Sequence, residues 1–396
     1  MSYAVAVQDR IPTPVWVLVA ATAVVAVGYG LIAPVLPIYA KSFDVGVTAA
    51  GVIVSIFALF RLLFAPLGGT LITRLGERST YMLGLFIVAV SSIATALADD
   101  YVHLLIYRGL GGIGSVFFTV SAAALLVRLA PPNLRGRVSS AYAGAFLIGN
   151  LIGPVLGGFL ARWGIRLPFI VYAVALFIAI AVVWFKLPAT VVRPQAGATK
   201  LPPMALGQAL AMPTFRAALG SSFANGWTNF GVRVAMVPLL VAAAISTDEW
   251  VAGLVLATFA AGNAIAISFS GRMADARGRQ PLMLAGLVTA GAGTIGLGYV
   301  TSLSVMILLT LVAGLGSGLM GPAQQASVAD VIGLKRSSGQ VLAVFTMVSD
   351  LGAIIAPVAT GAVIDLVGYG PGFAIAGGLL FASALPWLLV RDISRE

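Results

Sequence analysis

Apolar residues run along this chain in long segments, and most charged residues fall in the short connections between them. Each segment has about 20 residues or more, which is enough for a helix to cross the hydrocarbon core of a bilayer. The hydropathy pattern predicts an all-α polytopic membrane protein with twelve transmembrane helices. The predicted ranges are 15–40, 50–72, 79–98, 101–128, 137–162, 167–187, 215–244, 249–273, 279–300, 303–330, 337–364 and 371–390.

The composition of the chain agrees with a membrane protein. Hydrophobic residues form 60% of the chain and charged residues 9%, whereas a soluble domain has roughly 45–50% apolar and about 25% charged residues. The chain therefore has too few polar residues to cover a water-exposed surface, and no segment is left for a separate soluble domain. It contains no cysteine, which excludes disulfides, cysteine metal sites and thiol catalysis.

The basic residues lie mainly on one side of the predicted helices. Of the 23 lysines and arginines, most fall in the connections on the side that holds both termini, and three fall within spans. This bias follows the positive-inside rule, so we expect both termini in the cytoplasm. The net charge of +10 therefore reflects the orientation of the chain in the membrane, and a nucleic-acid partner is not expected.

Several landmarks recur after about half the chain. The segment 69–78 returns as 271–280, which is 202 residues later, and two prolines recur at almost the same spacing. These are Pro37 with Pro238, and Pro154 with Pro357. A duplicated hydrophobic bundle is a common design of secondary transporters, which place a central site between two repeats.

The duplication predicts where the chain divides. A proline-rich, polar segment lies between the sixth and seventh predicted helices. We therefore predict an N-terminal six-helix bundle over residues 1–187, a cytoplasmic linker over 188–213 and a C-terminal six-helix bundle over 214–396. Since one chain supplies both halves of a central site, we expect a functional monomer.

The repeated segment resembles the signature loop of the major facilitator superfamily, in which glycines, an acid and basic residues join helices two and three, and again helices eight and nine. In that family the loop latches the closed cytoplasmic gate. The acid is present as Asp275 in the second copy, whereas Thr73 takes its place in the first and cannot pair a charge. The resemblance implies a gate motif formed by Gly69, Thr73, Arg74, Gly76, Arg78, Gly271, Asp275, Arg277, Gly278 and Arg279.

Two further motifs are similar to the twelve-helix drug–proton antiporter group of that superfamily. Predicted helix five carries the antiporter motif, whose glycines permit close helix packing and whose proline bends the helix. Its residues are Gly149, Gly153, Pro154, Gly157 and Gly158. Predicted helix four carries Arg108 in a sequence that resembles the family's helix-four arginine motif, which is associated with proton coupling. A packing and capping role for Arg108 is the alternative.

Charged residues inside a bilayer usually face a partner or a cavity, because burying them is costly. Asp350 and Arg61 lie near the middle of predicted helices eleven and two, which face each other across the two bundles in the resembled fold. We therefore hypothesise that Arg61 and Asp350 pair between the bundles, and that separating them favours proton uptake by Asp350. A static structural pair is the alternative. His103, the sole histidine, is interpreted as an interfacial residue.

The resemblance places a substrate cavity among helices one, four, seven and ten. Polar residues in or beside these helices are candidate substrate contacts, and the alternative for each is a hydrogen bond between helices. They are Tyr29, Asn225, Asn229, Arg233, Asn263, Gln324 and Gln325. Arg233 also has the alternative of extending to the membrane interface. The excess of arginine over acid inside the spans disfavours multiply cationic substrates and leaves neutral and anionic compounds open.

These observations predict a proton-coupled exporter of small amphipathic or drug-like compounds in a cell membrane, working by alternating access. Alternatives are a transporter of a metabolite such as a sugar, amino acid or lipid, an uncoupled facilitator, or a membrane sensor that does not transport. An enzyme is not expected, because the sequence has no histidine cluster and no paired carboxylates. No cofactor and no metal site are predicted, and the expected partners are the small-molecule substrate, protons and the lipid bilayer.

Overall fold

A computed structural model describes residues 11–131, 134–187, 204–333 and 339–390, and for Val127, Arg135, Asp275 and Gly339 it describes the backbone alone. Twelve long helices in these ranges are long and apolar enough to cross a membrane. They are α1 (Thr13–Lys41), α2 (Val47–Leu75), α3 (Glu77–Ala96), α4 (Tyr101–Leu129), α5 (Arg135–Ala161), α6 (Leu167–Lys186), α7 (Pro213–Ala244), α8 (Glu249–Arg277), α9 (Arg279–Leu297), α10 (Leu303–Ile332), α11 (Gly339–Val367) and α12 (Tyr369–Leu388).

Two of these helices are irregular. Helix α1 turns at residues 33–35, around Pro34, before it continues as Leu36–Lys41. Helix α7 contains a π-helical segment, Gly226–Val232, in its middle. Such widened turns often occur at functional sites. Of the predicted linker, residues 188–203 lie outside the described residues, and Leu206–Ala211 forms a short helix. The predicted division of the chain at 188–213 stays a prediction.

The repeated motif is mostly helical, so the connecting turn is shorter than the loop that the sequence predicts. Helix α2 continues to Leu75, and α3 begins two residues later. The turn between them consists of Gly76, with φ of 81°, and its counterpart between α8 and α9 is Gly278, with φ of 92°. Glycine adopts these angles without the strain that a side chain would cause, so one residue reverses the chain and the helices extend closer to the turn.

The helices form two six-helix bundles with the same internal arrangement. In the first bundle α1 packs on α5 and α6, and α4 packs on α2 and α3. In the second, α10 packs on α8 and α9, and α9 packs on α12. Between the bundles, α5 lies against α8 and α2 lies against α11. The predicted fold class, two pseudo-symmetric bundles of six transmembrane helices, is confirmed.

Contacts between the bundles concentrate on one side of the molecule. We call the side that holds Gly76 and Gly278 the turn face, and the opposite side, where α1 connects to α2, the far face. Near the far face, a Cβ on Gly51 of α2 would lie 2.5 Å from the carbonyl oxygen of Pro357. A Cβ on Gly253 of α8 would overlap the carbonyl oxygen of Pro154. The backbones of the two bundles are therefore in direct contact there, at two positions related by the repeat.

Toward the turn face the bundles separate. A Cβ on Gly69 of α2, Gly271 of α8 or Gly321 of α10 would meet no atom within 4 Å. On the same side, Leu63 of α2 is 61% exposed and Met347 of α11 is 49% exposed, although these two helices pack tightly near the far face. The described residues thus form a structure that is closed at the far face and open at the turn face.

Candidate functional site

Arg108 places a buried guanidinium in the first bundle, beside a central cavity. The residue is 6% exposed, and its guanidinium carbon lies 4.6 Å above the ring of Phe57. The Arg108 Nε atom is buried and has no hydrogen-bond partner. The face of an aromatic ring attracts a cation, but it does not satisfy the N–H donors of the guanidinium.

Arg233 occupies a similar environment in the second bundle, directly after the π-helical segment of α7. Its guanidinium carbon lies 4.3 Å from the centre of the Phe259 ring, and its Nε donates a hydrogen bond of 3.1 Å to the carbonyl oxygen of Asn229. Tyr29 of α1 and Arg108 line the same cavity, together with Val234, the residue that follows Arg233 in α7. The two arginines therefore lie on opposite sides of the boundary between the bundles.

Two cavities adjoin these arginines. One small cavity is bordered by Tyr29, Ile32, Ala33, Leu36, Val54, Phe57, Arg108 and Val234. A second small cavity includes Thr228, Asn229, Arg233, Phe259, Thr294 and Thr310 in its wall. Both combine apolar walls with a few polar groups, which is the usual composition of a site for a small organic molecule.

A hydrogen-bond network connects α7, α8 and α10 around Ser317. The Nδ2 atom of Asn229 donates to the Ser317 hydroxyl at 2.8 Å and also to Asn225 within α7. Asn263 of α8 donates to the same hydroxyl at 3.2 Å. Two predicted substrate contacts, Asn229 and Asn263, therefore converge on one serine that the sequence did not single out. Its position between Gly316 and Gly318, where helices approach closely, was the available signal.

The two glutamines of α10 lie in different environments. Gln324 is 4% exposed and its Nε2 donates to the Ser221 hydroxyl of α7 at 2.9 Å, so it fixes α10 against α7. Gln325 is exposed. His103 lies at the far-face end of α4, where its Nδ1 is 3.2 Å from a carboxylate oxygen of Asp100 and its side chain is 48% exposed. This location fits the interfacial role that the sequence suggested.

Arg61 and Asp350 are near each other, but they are not in contact in this conformation. Arg61 Nη1 makes a long hydrogen bond of 3.5 Å to the Ser115 hydroxyl of α4. Asp350 is within electrostatic range of Arg61, and no ion pair within 4.0 Å joins these two described side chains. The hypothesis that they form an interbundle pair stays a prediction.

The chain matches a known protein family over both halves. The family model described as Major Facilitator Superfamily matches residues 18–226 and again residues 218–396. The chain belongs to that superfamily.

Curated relatives match part of the chain. It is 31% identical over 144 residues to "Quinolone resistance protein NorA" of Staphylococcus aureus, covering 36% of this chain and 37% of that protein. It is 31% identical over 158 residues to "Multidrug resistance protein 2" of Bacillus subtilis (strain 168), covering 40% of each. The matched region therefore spans about two fifths of the length of these relatives.

Solved structures share the fold over almost the whole chain. A bacterial homolog to the human lysosomal transporter Spinster, in an inward-facing and occupied conformation, has a TM-score of 0.76 at 17% identity, covering 95% of each chain. The D-xylose-proton symporter has a TM-score of 0.76 at 17% identity, covering 96% of this chain and 98% of its own. At this identity the likeness concerns the major facilitator fold alone.

The antiporter motif of α5 packs in two directions. Gly149, Gly153 and Gly157 face α1: a Cβ on Gly153 would lie 2.6 Å from the Gly30 Cα, and one on Gly157 would overlap the backbone of Leu31. The other motif glycine, Gly158, faces α8 of the opposite bundle. The motif thus joins helices within one bundle and also between bundles.

The interbundle contact of Gly158 has a counterpart in the second half. A Cβ on Gly158 would lie 2.7 Å from the Trp250 Cα, and one on Gly361 of α11 would lie 2.8 Å from the Thr48 Cα. Gly158 and Gly361 are 203 residues apart, and Thr48 and Trp250 are 202 apart. The interbundle part of the helix-five motif is therefore a property of both halves of this superfamily member.

The gate-motif residues face mainly their own bundles in this conformation. Thr73 donates a hydrogen bond of 2.8 Å to the Thr70 carbonyl of its own helix, and Arg74 and Arg277 are exposed. Arg78 donates to the Trp184 carbonyl of α6, and its guanidinium lies 5.5 Å from the Trp184 ring centre. The side chain of Asp275 lies outside the described residues. A latch between the bundles stays a prediction.

Both motif copies contribute an ion pair within their own bundle, with the charges reversed. In the first half Glu77 of α3 accepts from Arg128 of α4 at 2.8 Å. In the second half Arg279 of α9 pairs with Asp330 of α10 and donates to the Ala326 carbonyl at 2.8 Å. Glu77 precedes Arg279, and Arg128 precedes Asp330, by 202 residues. The pairs are therefore equivalent by the repeat and opposite in polarity.

Asp365 is a functional candidate that the sequence reasoning missed. Its carboxylate, at the far-face end of α11, accepts hydrogen bonds from the backbone N–H groups of Val47 and Thr48 at 3.0 and 2.9 Å, and from the Thr48 hydroxyl at 2.6 Å. Helix α2 has no capping side chain of its own at Gly46. Asp365 thus caps the first turn of a helix in the opposite bundle.

Proposed function

We propose that this chain is a proton-coupled exporter of small amphipathic compounds that works by alternating access. The observation that carries the proposal is the asymmetry between the two faces: backbones of the bundles touch at the far face and separate at the turn face, around a cavity with buried charges. Such a structure corresponds to one of the two states of a transporter that rocks its repeats around a central site. The basic bias of the turn face supports its assignment to the cytoplasm.

The export direction is supported by the relatives. Proteins named for quinolone resistance and multidrug resistance are 31% identical to this chain over the matched residues, and a transporter confers such resistance when it removes the compound from the cell. The motif of α5 supports the same direction, because it resembles the antiporter motif of the drug–proton antiporter group.

Proton coupling is assigned to Asp350. Among the acids of the described residues, it is the one that lies near the middle of a transmembrane helix; the others lie at helix ends or in connections. Arg61 is within electrostatic range and stabilises the ionised carboxylate. When the bundles rock, α2 and α11 change their relative position, so the distance between Arg61 and Asp350 changes and proton affinity changes with it. Arg108, by its resemblance to the helix-four motif, is a second coupling candidate.

The test is transport into inside-out vesicles with an imposed pH gradient, using the neutral amphipathic dye N-phenyl-1-naphthylamine. We expect gradient-driven accumulation that an uncoupler abolishes, and that Asp350→Asn reduces to the level of empty vesicles. Asp99→Asn is the matched control, because it removes an exposed acid from the α3–α4 connection and should keep full activity.

Accumulation that survives Asp350→Asn and depends on Arg108 would move the coupling site to α4. Absence of dye movement in the parent protein, with the protein folded, would overturn the drug-like substrate and favour the metabolite transporter.

A further inference from the structure

Arg108 and Arg233 are two buried cations, one in each bundle. Each lies on an aromatic ring, and Arg108 shares the wall of one cavity with Tyr29. Within the described part of the chain, no carboxylate lies within 4.0 Å of either guanidinium. Asp350, the acid nearest the centre, is within electrostatic range of Arg61 instead.

Two uncompensated cations are unusual inside a membrane protein. A charged side chain in the hydrocarbon region is costly, and such residues pair with an opposite charge, with backbone carbonyls or with a cavity. Here Arg233 has one carbonyl partner, and the Nε of Arg108 has none. Both arginines border the cavities described above. The missing negative charge can therefore be supplied from within the cavity.

We propose that the site takes amphipathic organic anions, with the anionic group held by Arg108 and the apolar part in the cavity that Arg108 borders, while Arg233 adds positive charge from the opposite bundle. This inference rests on the proposed transport function and names its substrate class. A guanidinium presents N–H donors in a planar fork that matches the oxygens of a carboxylate, sulfonate or phosphate. The Tyr29 phenol, in the wall of the same cavity as Arg108, adds a donor, and apolar side chains such as Ile32, Val54 and Phe57 line the rest of that cavity.

The test is equilibrium binding of tritiated 2-naphthoate to the full chain in lipid nanodiscs. The competitors are unlabelled 2-naphthoate, the neutral 2-naphthamide and the cationic 2-naphthylmethylammonium, which share one aromatic body and differ in charge. We expect the carboxylate to compete at least about tenfold more strongly than the amide, as expected for hydrogen bonds to a charged group, and the ammonium to compete more weakly still. Equal or stronger competition by the ammonium would overturn the proposal.

Variants locate the site. Arg108→Gln should weaken 2-naphthoate binding about tenfold or more, Arg233→Gln should weaken it less, and Arg108→Lys should retain part of the binding that Arg108→Gln loses. Arg272→Gln is the matched control, because Arg272 is exposed at the turn face and bonds to a carbonyl of its own helix. Unchanged 2-naphthoate binding in the folded double glutamine variant would overturn the proposal. If a variant does not fold, the ligand series on the parent protein still decides.

This experiment is separate from the transport test, because binding in nanodiscs needs neither a gradient nor a direction. Charge-selective binding without gradient-driven transport would contradict the exporter and support the anion site. Gradient-driven dye transport together with equal binding of the three naphthalene ligands would support the exporter and overturn the anion site.

Discussion

Asp365 and Arg162 occupy equivalent positions in the two halves, 203 residues apart, and each reaches the opposite bundle at the far face. Asp365 accepts hydrogen bonds from the first turn of α2, including Thr48. The Arg162 guanidinium lies 5.6 Å from the ring centre of Trp250 in the first turn of α8. Thr48 and Trp250 are themselves equivalent by the repeat. The far face is therefore closed by two interactions that share a location and differ in chemistry.

Removing the Asp365 cap should favour opening of the far face. We expect Asp365→Ala to destabilise the present conformation by about 1 kcal/mol, the usual cost of losing a capping side chain, which corresponds to a change of about fivefold in the population ratio. Since the chain has no cysteine, spin labels can be attached at Ser79→Cys and Gln340→Cys, two exposed turn-face positions on opposite bundles. The label-to-label distance distribution should shift toward shorter values.

Asp248→Ala is the control for this measurement. Asp248 lies at the same face and precedes α8, but its side chain makes no capping hydrogen bond. An equal shift in both variants would indicate a general charge effect and contradict the capping role of Asp365.

Two glycines of α8 should have opposite effects when enlarged. Gly253→Leu forces a side chain against the Pro154 carbonyl at the far face, so it should destabilise the present state and close the turn face. Gly271→Leu enters open space, so it should leave the present state intact and obstruct closure of the turn face. The same pair of spin labels should report short distances in the first variant and long distances in the second.

Gly378→Ala in α12, where an added Cβ also meets no atom within 4 Å, should resemble the parent. The glycine assignment would be refuted if Gly253→Leu and Gly271→Leu moved the label distances in the same direction.

The acidic and basic residues of the Glu77–Arg128 ion pair should be interchangeable. We expect Glu77→Gln to lower the free energy of unfolding by about 1.5 kcal/mol, as for a hydrogen bond to a charged group and less than for a fully buried pair, because the Arg128 side chain is 37% exposed. The double exchange Glu77→Arg with Arg128→Glu reproduces the polarity of the second half and should recover most of the loss. Thermal unfolding of the purified protein measures both effects.

Glu249→Gln serves as the control for the ion-pair series, since Glu249 also lies in the first turn of a helix and forms no ion pair within 4.0 Å among the described residues. A double exchange no more stable than Glu77→Gln would show that the reversed polarity depends on other parts of the second half.

Loss of the Ser317 hydroxyl should weaken the joint between α7, α8 and α10. Ser317→Ala leaves Asn229 and Asn263 without their shared acceptor, and hydrogen bonds of this kind in membrane proteins are worth about 0.6–1.7 kcal/mol each. We expect a stability loss of about 1 kcal/mol and weaker substrate binding. Ser268→Ala, which removes a hydroxyl bonded to a carbonyl of its own helix, should have neither effect.

Much of the fold could be predicted from the sequence, because bilayer thickness fixes the length of an apolar helix and the repeat fixes the pairing of the halves. The helix ends at Gly76 and Gly278 are harder to predict, since the last turns of these helices are polar and extend beyond the apolar segment. The same reason hid Asp365: acids at helix ends are ordinary in sequence, and its partners in α2 lie more than 300 residues away.

The site was predicted in part. Arg61 and Asp350 were placed at similar depth from the helix count, but whether they touch depends on the conformation, which hydropathy does not encode. Arg108 and Arg233 were noticed as buried charges, whereas the cavity that Arg108 shares with Tyr29 emerges from the packing of the helices. Ser317 was overlooked because a hydroxyl within a glycine-rich stretch resembles a packing residue.

The reversed polarity of Glu77–Arg128 and Arg279–Asp330 has a consequence for the history of the gene. If recombination copied the codon for Glu77 into the second half, a glutamate would stand at position 279 and face the carboxylate of Asp330. If it copied the codon for Arg128, an arginine would stand at position 330 and face the guanidinium of Arg279. Exchange of short segments between the halves is therefore harmful at these positions, and the two halves are free to diverge in sequence while they keep one shape.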